Sequence, residues 1–228
     1  MQKQLTRISA SNKSDDIISK ETEEIFALKQ DIYHKRLFIK CTYDEFLRLV
    51  TLKGERIFRE QGQNKTFDID NYNNDVLTNL YYYAVGDSKF SGDLLKGLWF
   101  WSEEFGTGKT TIMDILRELF NDYNNKVTPL TESKILHEII TRESCEYFRK
   151  RVLYFDDLGR EIKEINDFGT KIKPIPIIIH LREHEGSWTH ITAQRPILQF
   201  EPVYGSVTIN RMIKMFNEIE FKGKTRRK

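Results

Sequence analysis

Apolar positions recur along the chain at two periods. From about Asp15 to Arg36, Ile17, Ile18, Ile25, Phe26, Leu28 and Ile32 form an imperfect apolar face on a charged stretch, which predicts a helix. Thr42 to Glu45 fits a capping box, and Phe46, Leu47, Leu49 and Val50 supply the face of a second helix. Gly62 to Asn74 is polar and turn-rich. Asp75 to Val85 returns to helical spacing and carries Tyr81-Tyr82-Tyr83, which either pack on a neighbouring sheet or stack a base. Leu98 to Trp101 is short, apolar and aromatic, the signature of a buried strand. Ile112, Ile115, Leu116, Leu119 and Phe120 then recur at helical spacing.

The second half repeats this alternation. Lys126 to Pro129 predicts a short strand, and Ile135, Leu136, Ile139 and Ile140 a helix capped by Thr131 or Ser133. Arg151 to Phe155 predicts a strand ending in Asp156-Asp157-Leu158-Gly159. Pro174 and Pro176 open a helix that runs to Arg182. His190 to Gln194 reads as a strand, Ile209 to Phe216 as a helix, and Glu218 to Lys222 as a last strand. Strands alternating with helices predict an α/β fold, a three-layer parallel sheet covered on both faces. The polar stretch after residue 60 divides a helical N-terminal extension, residues 1–60, from a core at residues 61–228.

Composition changes this picture little. The 228 residues suit one medium domain with an extension, and 15 Phe and 10 Tyr give the core bulk. A net charge of +2 argues neither for nor against nucleic acid, so DNA binding would need a local patch, for which Lys171, Lys173, Arg182 and the basic tail are candidates. Cys41 and Cys145 lack metal-ligand spacing and read as reduced thiols. With no long apolar run and no apolar signal core, a cytoplasmic protein without a membrane partner is expected.

The chemistry concentrates in Gly106-Thr107-Gly108-Lys109-Thr110-Thr111, set between a strand and a helix. Such a loop cradles phosphates. Its glycines let backbone N–H groups converge on phosphate oxygens, and the helix N-terminus adds partial positive charge. Lys109 would reach the β/γ-phosphates and the Thr110 hydroxyl would help hold Mg²⁺. The full pattern expects glycine at position 103, where this chain has Glu103, and Glu103 and Glu104 put two negative charges beside a polyanion site. The Asp-Asp ending supplies the complementary acids. Ligands of parallel sheets lie beyond the carboxyl ends of the strands, so Asp156, taken as the first residue past its strand, would face Mg²⁺. Asp157 would orient or deprotonate the attacking water. Gln194, ending another strand, either hydrogen-bonds the γ-phosphate or water or is an ordinary strand-end amide, with Thr192 in reserve. Arg211, Arg226 and Arg227 could neutralise charge developing on the phosphate, or be surface arginines.

These segments, in this order, resemble the bacterial and phage replicative-helicase loaders, AAA+ ATPases of the DnaC/DnaI type. The shared pieces are Gly106 to Thr110, Val152 to Gly159, His190 to Gln194, Tyr204-Gly205 with Arg211, and Gly223 to Arg227. The likeness covers roughly residues 75–228. It implies ATP and Mg²⁺ as cofactors, with Lys109 and Thr110 as phosphate and metal residues and Asp156 and Asp157 as the acidic pair. Gln194 stands where loaders usually have asparagine as first sensor. Arg211 resembles the arginine finger that completes a neighbour's site, and Arg227, or Arg226 beside it, the second sensor. The family implies self-association into spirals or filaments, single-stranded DNA, and a replicative helicase as partner. Two other readings stay open: an ATPase helper of a transposition system, and a nucleotide-dependent scaffold that does not hydrolyse ATP. A small-molecule kinase is disfavoured, because no cluster reads as an acceptor site.

Overall fold

The computed structural model describes residues 14–25, 27, 38–123, 127–130, 148, 152–161, 164–167 and 170–226. The chain divides into two compact units, residues 1–37 and 38–228. In the first, residues 14–25 form helix α1, with a Lys20–Glu24 ion pair one turn apart at 3.8 Å and Ile17, Ile18 and Ile25 exposed.

The second unit opens with α2 (Tyr43–Glu60). Its capping box forms as expected: the Glu45 N–H donates to the Thr42 hydroxyl at 3.3 Å, and the Thr42 N–H donates to the Glu45 carboxylate at 2.8 Å. Helix α3 (Asn74–Val85) ends at Gly86 in the left-handed conformation. Strand β1 (Gly97–Trp101) leads through the glycine loop into α4 (Lys109–Asp122), followed by β2 (Val127–Leu130) and β3 (Val152–Leu158). A hairpin of β4 (Ile165–Asp167) and β5 (Thr170–Ile172) comes next, which the sequence pattern did not announce. Then come α5 (Pro174–His184), β6 (Thr189–Ala193), α6 (Ser206–Met215) and β7 (Phe216–Glu220). The helix expected around Ile135 to Ile140 lies outside the described residues.

Five strands form one parallel sheet in the order β2-β3-β6-β1-β7. Period-two alternation sorts each strand's side chains onto two cores. Leu98, Phe100 and Tyr154 join residues of α2, α3 and α4, whereas Trp99, Leu153 and Phe155 join those of α5 and α6. Both faces are therefore apolar, and the expected three-layer α/β arrangement is what forms. Pro129, which cannot donate to a ladder, sits in the edge strand β2. Helix α2 packs on α4, where nearly buried Lys53 reaches Asp122 at 2.6 Å and Arg56 pairs with Glu118.

Two sequence expectations resolve here. The tyrosine run is packing: Tyr83 is buried and donates to the Lys96 carbonyl at 2.7 Å, and Tyr81 lies against Tyr43 and Phe46. Arg182 is not available to DNA, because it is wholly buried. Its guanidinium donates to the Thr189 hydroxyl at 2.8 Å, to the Trp188 carbonyl at 2.6 Å and to the Phe148 carbonyl, tying the end of α5 to the start of β6. Burial pulls its pKa down to about 9. Arg182→Ala strands three acceptors and is expected to lower the unfolding free energy by about 3 kcal/mol, read from urea denaturation at unchanged m.

Candidate nucleotide site

Strand β1 ends at Trp101 and the chain turns through Ser102 to Gly108, the residue that caps α4. Gly106 and Gly108 have φ of 73° and 97°, a region closed to most side chains, so these two glycines are what the loop requires. Position 103 makes no such demand. Among described non-glycine residues Asp157 alone has positive φ, and Glu103 sits exposed in an ordinary conformation beside exposed Glu104. The first turn of α4 has no side-chain cap. Lys109, nearly buried, folds its ammonium back over the loop toward the Glu104 and Ser102 carbonyls at 3.4 and 3.5 Å. The Thr107 hydroxyl is buried without a hydrogen-bond partner among the described residues. An uncapped helix N-terminus, a folded-back lysine and an orphaned hydroxyl fit a polyphosphate.

The acidic pair lies inside β3, not past its end as expected. The pairing of β3 with β6 shifts register between Phe155 and Leu158, and Asp157 at the shift adopts φ 56°. This bulge lets two consecutive aspartates serve one site, where a regular strand would point them to opposite faces. Three hydroxyls converge on Asp156 Oδ1, from Thr192 at 2.6 Å, Tyr154 at 2.7 Å and Thr110 at 2.9 Å. Among the described residues Oδ2 accepts no hydrogen bond. Thr192 also accepts from the Asp157 N–H at 2.8 Å, so one side chain of β6 holds both acids. Gln194 donates to Asp157 Oδ1 at 2.9 Å, and its own Oε1 is buried without a partner among the described residues.

Thr110, Asp156, Asp157 and Gln194, far apart in sequence, are thus brought together. Thr192 proves as central as Gln194. Tyr154 and Asp114 were missed, although spacing could have flagged them: Tyr154 is two residues before Asp156, and Asp114 is one turn after Thr110. Burial, and then the neighbouring Asp156 charge, push the Tyr154 hydroxyl well above the ordinary tyrosine range, so it stays a donor. Burial also raises the Asp114 carboxyl, opposed by Arg117 at 3.3 Å and reinforced by Asp156.

The arginines divide. Arg226 lies against the loop: its N–H donates to the Gly106 carbonyl at 2.8 Å, and its guanidinium pairs with Asp70 at 2.8 Å. Arg227 lies outside the described residues. Arg211, on α6, pairs with Glu183 of α5 at 3.7 Å. Among the described residues no three His, Cys, Asp or Glu side chains cluster as a metal site. A cation held by Thr110 and Asp156 would draw its other ligands from phosphate and water, as Mg²⁺ commonly does.

No protein-family model and no curated protein matches the chain. Among solved structures it is similar to DnaI, at 22% identity with a TM-score of 0.52, covering 71% of this chain and 88% of that one. It is also similar to the DnaC helicase loader, at 18% identity with a TM-score of 0.51, covering 68% of this chain and 93% of that one. The resemblance read in the sequence is borne out as a shared fold, the parallel α/β architecture of the DnaI and DnaC helicase loader structures. No helix among the described residues is long and apolar enough to cross a membrane.

Asp114 offers a test of the site's electrostatics. Its folded-state carboxyl keeps its proton to a higher pH than in the unfolded chain, so stability is lost as the pH rises through the carboxylate range. Asp114→Asn, melted without nucleotide or Mg²⁺, should exceed the wild-type Tm at pH 7, with the gap closing below about pH 4. A lower Tm at pH 7 would mean that the Arg117 ion pair outweighs the burial.

Proposed function

We propose that this protein is a Mg²⁺-dependent ATPase of the helicase-loader type. The observation that carries the reading is the meeting of the Thr110 hydroxyl with the Asp156 carboxylate at 2.9 Å, flanked by Thr192 and Gln194. Loop N–H groups of Gly106, Thr107, Gly108, Lys109, Thr110 and Thr111 bind the polyphosphate, and Lys109 swings from its loop carbonyls to the β/γ-phosphates. Thr110 and Asp156 would hold Mg²⁺, which would neutralise charge on the phosphate oxygens. The hydroxyls on Asp156 Oδ1 orient that carboxylate. Asp157, held by Gln194, positions the attacking water and accepts its proton.

Arg211 acts as the finger for a neighbouring subunit. Of the tail pair, Arg226 is favoured as the nucleotide-facing arginine because it already lies against the loop. We assign binding of a replicative helicase to residues 1–60, of which α2 packs on α4 within the second unit, and single-stranded DNA to the core. Glu103 gives little support to the non-hydrolysing scaffold, since its backbone needs no glycine and its charge is solvated.

ATP hydrolysis measured against protein concentration, with and without single-stranded DNA, tests this. Specific activity should rise with concentration and fall to background in Lys109→Ala. Arg211→Ala should lose about 10³-fold, and mixing the two variants should restore part of the activity. Wild-type turnover no higher than that of Lys109→Ala under every condition would sink the ATPase reading. DNA binding through the phosphate backbone should weaken steeply with salt.

A further inference from the structure

Arg160 follows the acidic turn and has no part in the scheme above. Its Nη1 lies 3.0 Å from Asp157 Oδ2, on the opposite carboxylate oxygen from Gln194. Its guanidinium carbon is also 5.8 Å from the ring centroid of Phe105, which belongs to the phosphate loop and is itself exposed. One arginine therefore spans from the end of β3 to the loop that opens α4. A terminal phosphate seated between Lys109 and Asp157 would enter that same space.

The base of this side chain is anchored, while its tip is exposed and held by Asp157 and Phe105 alone among the described residues. The Arg160 N–H donates to the Asp157 carbonyl at 3.3 Å. On one side of it Gly159, at φ 105°, donates its N–H to Glu161 at 2.6 Å, and on the other Glu161 accepts from the Tyr204 hydroxyl. The side chain is 62% exposed, and water screens such an arginine–carboxylate pair, so it is weak. A terminal phosphoryl group offers more charge and a better geometric match to the guanidinium fork than one shared carboxylate does.

Resting on the reading of this site as an ATP site, we propose that Arg160 is a γ-phosphate sensor acting within its own chain. On binding a triphosphate the guanidinium leaves Asp157 for the terminal phosphate, and Asp157 Oδ2 is released toward the water that Asp157 positions. A diphosphate offers no terminal group there, so the Arg160–Asp157 pair stays closed. The chain thereby couples triphosphate recognition to arming of its own base, separately from the arginine a neighbour would supply.

The test is equilibrium binding of ATPγS and of ADP, each with Mg²⁺, to the full-length wild type and to Arg160→Ala, Arg160→Lys and Lys109→Ala. Arg160→Ala should weaken ATPγS about tenfold while ADP stays within about twofold, and Arg160→Lys should recover part of the loss. An unchanged ratio of the two affinities in Arg160→Ala, whether both hold or both weaken together, would overturn the proposal by making Arg160 structural or idle. Nucleotide binding that Lys109→Ala leaves untouched would overturn the ATP-site reading itself, and the sensor with it.

Discussion

Three hydroxyls from three elements meet on a single oxygen of Asp156, and the site's construction follows from that convergence. Thr110 comes from the first turn of α4, Tyr154 from β3 and Thr192 from β6. Asp156 lies exposed within β3, and the three hydroxyls give its carboxylate donors without adding a competing cation. These bonds also fix the carboxylate's rotation and leave the second oxygen open. They can form only if β6 lies between β1 and β3, which is the order the sheet adopts.

That order constrains the remainder of the molecule. Because β6 is flanked on both sides, its residues are buried throughout, and Thr189, His190 and Thr192 need polar partners inside. Thr189 meets Arg182, Thr192 meets both acids, and the His190 ring receives the Leu98 N–H at 3.3 Å. Gly97 shows how closely the strands approach, since a Cβ there would lie 1.6 Å from the Thr189 carbonyl oxygen. The polar positions of β6 thus serve the site at one end and the packing of α5 at the other.

Charge in the site is unevenly balanced. Asp156 repels nearby Asp114, while Arg117 engages Asp114 and Arg160 engages Asp157. Bringing acids together costs stability that a neighbouring cation offsets. The bulge at Asp157 adds backbone strain of about 1–3 kcal/mol, held in place by Thr192, Gln194 and Arg160 together.

Much of this was legible in the chain. Hydrophobic period distinguished helices from strands, the glycine loop announced the start of α4, and the strand ending in two aspartates announced its partner. These are local signals, set by side-chain spacing and by which residues tolerate a left-handed backbone. The β4–β5 hairpin was not legible, because its three-residue strands are too short to show a period. Whether Glu103 disturbs the loop, which of Thr192 and Gln194 reaches the acids, and whether Arg182 faces solvent or the core were also beyond a linear reading. Each depends on which strand lies beside which and on where a bulge turns one side chain. Sequence alone determined the kinds of element and the chemistry they carry. Tertiary structure decided the partners, because hydrogen bonds between residues dozens of positions apart exist only once the sheet has chosen its order.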